Sequence, residues 1–217
     1  MILAIDTTSA FGSLALAQGA EVVELVSVHS PEGFAQVLFQ EILRLVGRQG
    51  LKLADLEGYA AASGPGSFTG VRIGLAAAKG LAEAHGRLVA PVSNLLALAA
   101  AGEGELRAPV IDARRGEVYG AVYDENLRAV VEEMVGPLDR FLERVGDRRV
   151  RYLTTSFRCF PAGGRVLTVS SALAGLVAAV AARAFAEGRA LAPEQVDANY
   201  VRRSDAELAV AQAFLPV

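Results

Sequence analysis

A chain of 217 residues, 53% apolar and only 6% aromatic, can bury a substantial core and suits two lobes or two small domains. Its formal net charge of −3 and pI near 5.5 argue against a free-standing nucleic-acid binder, which presents a basic face. The short basic clusters Arg114-Arg115, Arg148-Arg149 with Arg151, and Arg202-Arg203 read as solvated surface, able to meet phosphates only if a partner supplies the rest. Cys159 is the single cysteine, which excludes an intramolecular disulfide and fits a reducing compartment; no histidine lies near it, so it reads as a small half-buried residue, not a nucleophile. The first residues carry no basic region and reach a charge at Asp6, too early for a signal peptide. The longest apolar run, Ala172 to Ala182, is about half the roughly 20 residues that span a bilayer. A cytoplasmic protein is expected.

In chain order, Ile2 to Asp6 is a short apolar run closed by a polar turn over Thr7 to Gly12, and the run resumes at Ser13 to Ala17, which predicts a β-hairpin. Glu21 to Val28 supplies a third strand. From Phe34 to Val46 the residues Phe34, Leu38, Ile42 and Leu45 share one face at helical spacing. Leu56 to Ala62 is a buried strand entering the glycine-dense stretch Gly64-Pro-Gly-Ser-Phe-Thr-Gly-Val-Arg-Ile-Gly74, and a helix is predicted from Val71 to His85 with Ser67 or Thr69 as its cap. A strand over Leu88 to Val92 and a helix over Asn94 to Ala101 follow. The Gly/Glu-rich break at 102–105 predicts a boundary between lobes 1–103 and 104–217. Beyond it, Ala108 to Tyr123 repeats the opening plan of apolar run, aspartate (Asp112), turn and second strand. Strands are predicted at Arg151 to Thr155 and Arg165 to Val169, with a loop over 157–164. An Ala-rich helix runs from Ser171 to Glu187, capped by Ser170 or Ser171 and stopped by Gly188. A final amphipathic segment spans Asp205 to Phe214, and the last helix is expected to pack back on the first lobe.

The glycine loop first invites comparison with a Walker A phosphate loop, but that motif needs Lys-Ser/Thr directly after its last glycine, and Gly70 is followed by Val71 and Arg72. The duplicated opening is similar to the actin, sugar kinase and Hsp70 architecture, in which two aspartate-bearing turns face each other across a nucleotide cleft. On that likeness Asp6 and Asp112 are candidates to hold phosphate through a water-held Mg²⁺, with Thr7, Thr8 and Ser9 as donors. The alternative is that each aspartate simply bonds the N–H groups of its own turn. The late glycine motif expected to hold adenosine is represented only by Ala162-Gly-Gly-Arg165. His29 and His85 are the only histidines and neither has a partner one turn away, so no histidine metal site is expected. Arg72 sits near the positive end of its helix, an unfavourable place for a cation by roughly 0.3–1 kcal/mol when exposed, and so a carboxylate partner is expected for it, within the fold or on a partner protein. Arg114 and Glu117 suggest an ion pair spanning the second turn.

Ile2-Leu-Ala-Ile-Asp-Thr-Thr-Ser9, the glycine loop, Ile111-Asp-Ala-Arg-Arg-Gly-Glu-Val-Tyr119 and Tyr200-Val-Arg-Arg203 together resemble the bacterial TsaB (YeaZ) family. The resemblance covers most of the chain in order. It implies an α/β, actin-like (ASKHA, RNase H-like) duplicated fold with a reduced second lobe. It also implies a non-catalytic subunit needed for threonylcarbamoyl transfer to N6 of adenosine 37 in tRNAs reading ANN codons. The implied partners are the catalytic paralogue TsaD, the ATPase TsaE and, through the complex, tRNA. The resemblance further implies threonylcarbamoyl-AMP as the donor and no intrinsic cofactor, with room for ATP and Mg at the level of the complex. The implied pairing surface lies on the helices from Phe34 and from the glycine loop, with Phe34, Leu38, Ile42, Phe68, Val71, Arg72, Leu75 and Lys79 as its residues. Self-association through the same helices is expected when the paralogue is absent. Many family members carry His-Ser or His-Thr where this chain has Pro31-Glu32-Gly33, so a role for that histidine does not transfer. A stand-alone ATP-dependent kinase or hydrolase of the actin-like class is the competing reading, and a metal-dependent glycoprotease is disfavoured by the histidine count.

Overall fold

The computed structural model describes residues 1–30, 33–156 and 166–201. Two five-stranded sheets carry the chain. The first is built from β1 (Ile2–Asp6), β2 (Gly12–Gln18), β3 (Glu21–Val28), β4 (Gly58–Gly64) and β5 (Leu88–Ser93) in the order β3-β2-β1-β4-β5. The second is built from β6 (Leu106–Arg114), β7 (Glu117–Asp124), β8 (Ala129–Pro137), β9 (Arg151–Thr154) and β10 (Val166–Thr168) in the order β10-β9-β6-β7-β8. In each sheet the first strand is antiparallel to the second and parallel to the fourth. The two sheets therefore share one topology, and the repeated strand-Asp-turn-strand opening is the visible end of a duplication that runs through all ten strands.

Five helices complete the described residues: α1 (Phe34–Arg48), α2 (Phe68–His85), α3 (Asn94–Ala100), α4 (Leu138–Val145) and α5 (Ala174–Ala186). Strand β1 is buried on both faces. Leu3 and Ile5 meet Leu38, Ile42 and Leu45 of α1 and Val71, Leu75 and Ala78 of α2, while Ile2 and Ala4 face α5 on the other side. That second interface is an alanine layer: Ala15, Ala17, Ala60, Ala62 and Ala90 on the sheet oppose Ala174, Ala178, Ala181 and Ala184, so the helix axis can approach closely. α5, which lies beyond residue 104 in sequence, thus packs on the first sheet. The second sheet is covered by α4 on one face, through Phe141 and Val145, and by α3 on the other, through Leu95 and Ala99. α3 therefore sits between the lobes.

The differences from the sequence reading have physical causes. α2 begins at Phe68, not Val71, because Ser67 accepts a hydrogen bond from the Gly70 amide (3.2 Å) and so caps the helix one turn earlier. α5 begins at Ala174, not Ser171. Ser170 Oγ accepts from the Ala172 amide (3.2 Å) in a local turn, and the cap for Ala174 N comes from distant Ser13 Oγ (3.0 Å). Leu53–Asp55 forms a 3₁₀ turn, which delays β4 to Gly58. β8 and α4 carried no recognised sequence signal. The predicted loop over 157–164 with Cys159 and the glycine pair, and the segment over 205–214, lie outside the described residues, as do Pro31 and Glu32. Among the described residues no helix is long and apolar enough to cross a membrane.

Candidate functional site

The two aspartates close their strands in the same way. Asp6 Oδ1 accepts from the Thr8 amide (2.9 Å) and the Thr8 hydroxyl (2.6 Å), and Asp112 Oδ1 accepts from the Arg114 amide (2.8 Å). Both are side-chain-closed turns of the kind aspartate favours. Their surroundings differ. Asp6 is fully buried, and its Oδ2 makes no hydrogen bond. Burial pushes its carboxyl above the usual range, against smaller downward pulls from the Thr8 hydroxyl, the Thr8 amide and the Leu173 backbone amide. Ser13 lies opposite Asp6 in the β1–β2 register and takes the Ala174 amide, so the positive end of α5 stands over this pair.

The glycine loop closes the same turn from the other side. Ser67 N donates to Thr8 O (2.8 Å), and Thr7 Oγ1 donates to Gly70 O (2.6 Å). A Cβ on Gly66 would lie 2.7 Å from Thr8 O, one on Gly74 would lie 2.7 Å from Thr7 Oγ1, and one on Gly70 would overlap Thr7 O outright. The glycines are therefore required for the backbone of Thr7-Thr8 to lie against α2. Asn94 completes the enclosure: its Nδ2 donates to Thr8 Oγ1 (2.5 Å) and its Oδ1 accepts from Gly64 N (3.1 Å). Thr7 and Thr8 are buried with their hydroxyls engaged. Ser9 is exposed, and its hydroxyl donates to Phe11 O (2.6 Å). Around this turn the hydroxyls of Thr7, Thr8 and Ser9, the donors expected for a phosphate, are all bonded within the chain. The second turn is open: Asp112, Arg114, Arg115, Gly116 and Glu117 line a cavity of about 350 Å³ with Val118 and Leu138. Asp6 does not line it, so the two aspartates do not converge there. Among the described residues no three His, Cys, Asp or Glu side chains are gathered as a metal site.

The expected pairing residues lie in different settings in the chain. Phe34, Leu38, Ile42, Val71 and Leu75 are all buried in the core of the chain itself. Helical periodicity identifies the stripe that packs on the sheet, and of these five residues only Leu38 also lines a surface groove. On α1 the apolar residues that face outward are Phe39 (51% exposed) and Leu43 (58%), and Phe39 lines a groove of about 260 Å³ with Ala35, Leu38, Ile73, Ala76 and Ala77. Phe68 is exposed. Lys79 Nζ donates to Val196 O (2.8 Å), holding the chain's own later segment. Within the chain Arg72 has aromatic partners: its guanidinium lies 3.8 Å over the Phe68 ring and its Nε donates to Tyr200 OH (3.1 Å). Arg114 and Glu117 stand opposite each other in the β6–β7 register. His85 bonds Leu81 O (2.7 Å) and approaches Tyr59 OH (3.3 Å), and His29 stacks on Phe11, both consistent with structural roles.

A polar seam between the lobes had been missed. Glu133 of β8 accepts from Ser93 Oγ and Tyr123 OH (2.6 Å) on one oxygen and from Asn199 Nδ2 (2.7 Å) on the other. Ser93 also caps α3 by accepting from the Leu95 and Leu96 amides. Burial, with Glu133 beside it, drives the Tyr123 phenol far above its usual range. Ser93-Asn94 at a helix start was the one available signal; Glu133 lies on the strand that sequence reading did not find.

The model of the family described as TsaD, tRNA N6-adenosine threonylcarbamoyltransferase, matches residues 28–207. The tRNA threonylcarbamoyladenosine biosynthesis protein TsaB of Escherichia coli (strain K12) is 33% identical over 220 residues, covering 94% of this chain and 95% of that protein. Its Bacillus subtilis (strain 168) namesake is 34% identical over 159 residues, covering 70% and 69% of the two chains. Among solved structures, YeaZ from Pseudomonas aeruginosa matches with a TM-score of 0.76 at 29% identity, over 92% of this chain and 99% of that one. The ethanolamine utilization protein EutJ from Carboxydothermus hydrogenoformans matches at a TM-score of 0.52 and 12% identity, over 82% and 88%, which is likeness of fold alone. The fold is of the actin-like (ASKHA) class, and the chain belongs to the TsaB (YeaZ) family.

Proposed function

We propose that this chain is a non-catalytic subunit of the cytoplasmic machinery that transfers a threonylcarbamoyl group to N6 of adenosine 37 in tRNAs reading ANN codons. It acts by binding the catalytic paralogue TsaD through the outward faces of α1 and α2. The observation that carries this reading is the closely packed first turn: the Thr7-Thr8 backbone is pressed against Gly66 and Gly70, and the Thr7, Thr8 and Ser9 hydroxyls are bonded within the chain. A protein that keeps the fold but spends these donors on its own chain is suited to present a surface. ATP, Mg²⁺, the ATPase TsaE and tRNA then belong to the assembled complex. A stand-alone kinase or hydrolase needs an open site at Asp6 and is not favoured.

The surface available for pairing is apolar, with Phe39 and Ile73 lining the α1–α2 groove and Leu43 exposed one turn along α1 from Phe39. Left without TsaD, the same face supports self-association. The test is reconstitution of tRNA threonylcarbamoylation from purified components with and without this chain, with TsaD binding measured in parallel. Modification should require the chain, and Phe39→Asp or Leu43→Asp should weaken TsaD binding at least about tenfold without unfolding the protein. Full modification in the chain's absence, or TsaD affinity untouched by both substitutions, contradicts the reading.

A further inference from the structure

Residues 191–201 run over the first lobe as an irregular segment with one 3₁₀ turn at Pro193–Gln195 and end at the seam with the second. Leu191 exchanges backbone hydrogen bonds with Val89 of β5 (2.8 Å each way). Val196 is buried in the core beneath α1 and α2, and its carbonyl accepts from Lys79 Nζ. Asn199 N donates to Ser63 O (2.8 Å) at the end of β4. Gly64 makes that approach possible: it sits at φ 107°, and a Cβ there would come 2.9 Å from Asn199 O. Tyr200 packs on Phe68 with ring centres 5.6 Å apart and bonds Arg72. Val201 joins the apolar cluster of α3 with β6 and β7 between the lobes.

Asn199 is the joint in this path. Its backbone is held by the first sheet, while its side chain donates to Glu133 in the second. Glu133 is in turn tied to Ser93 at the start of α3 and to Tyr123. One continuous set of contacts thus leads from the α2 side chains Arg72 and Lys79, through the segment, to β8. A hydrogen bond to a carboxylate at a partly buried seam is stronger than one between neutral groups, so Asn199 carries a disproportionate share of the attachment.

We propose that residues 191–201 act as a strap that couples the α2 face to the setting of the second sheet against the first, with Asn199 as its joint. A change at α2, such as a partner gripping it, is then felt at β8 without direct contact. This inference concerns the isolated chain and does not depend on what the partner is.

Hydrogen–deuterium exchange on the intact chain tests it. Asn199→Ala should speed exchange about tenfold in Ala129–Pro137 and in the first turn of Asn94–Ala100, with Ile2–Asp6 and Gly12–Gln18 unchanged. Asn199→Asp keeps the shape but sets a carboxylate against Glu133, and should accelerate the same segments at least as much. Lys79→Ala, which loosens the strap from the α2 side, should speed exchange in Ala129–Pro137 about threefold. Exchange in Ala129–Pro137 that stays at the wild-type rate in Asn199→Ala or in Lys79→Ala, or that rises equally throughout both sheets, overturns the coupling.

Discussion

The turn after β1 and the turn after β6 occupy equivalent places in two sheets of identical topology, and each is closed by an aspartate accepting a backbone N–H two residues on. The first is sealed by α2, α5 and Asn94, whereas the second stays open, with Arg114 and Arg115 held at φ 65° and 55° beside a cavity. The same local motif therefore serves opposite ends. In the first lobe Asp6 is an internal group whose partners are Thr8 and the start of a helix. In the second, Asp112 shapes an exposed loop. A duplicated aspartate turn is evidence of common architecture and not, by itself, of a shared ligand between the copies.

The contrast can be broken most sharply at its glycines. Gly70→Ala should cost more than about 4 kcal/mol or abolish folding, because its Cβ overlaps the Thr7 carbonyl. Gly116→Ala, at φ 78° with open space around it, should cost only about 1–2 kcal/mol from backbone conformation. Urea unfolding of both variants measures the difference, and equal losses would remove the distinction between sealed and open turns. Next in size, Asn94→Ala leaves the Gly64 amide without its acceptor inside a buried site and should cost about 2–3 kcal/mol. Asp112→Asn keeps an acceptor for Arg114 N and should stay within about 0.5 kcal/mol.

The smallest expected effect concerns pH. The Asp6 carboxyl is raised above its ordinary 3.8 in the folded chain, so the folded state binds a proton that the unfolded state releases. The stability contributed by that proton is fully present below 3.8 and is lost as pH rises through the folded-state value. Asp6→Asn removes this dependence, so its stability relative to wild type should improve with rising pH over that window. Chemical denaturation of both proteins across that range measures it, and a variant that instead loses ground to wild type as pH rises would mean the folded carboxyl is stabilised as an anion.

Much of this fold was legible because its signals are local. Alternation and apolar runs marked the first five strands, and Ser67 and Gly188 marked helix ends. The stripe of Phe34, Leu38, Ile42 and Leu45 was equally legible, but periodicity reports burial without saying against what, and here the answer is the chain's own sheet. The sealed site was not legible. That Gly66, Gly70 and Gly74 accommodate Thr7-Thr8 is a contact across some sixty residues, and a glycine needed for close backbone approach looks the same in sequence as one that cradles a phosphate. Glu133 stayed hidden for a similar reason: nothing near it in sequence announces Ser93, Tyr123 and Asn199 as its partners.

The central claim, that the first lobe's aspartate turn is closed to nucleotide, is tested most directly by titrating the isolated chain with Mg·ATP and following binding and phosphate release together. Neither saturable binding nor turnover is predicted. Saturable binding or turnover that Asp6→Asn abolishes, in a variant that remains folded, would contradict it.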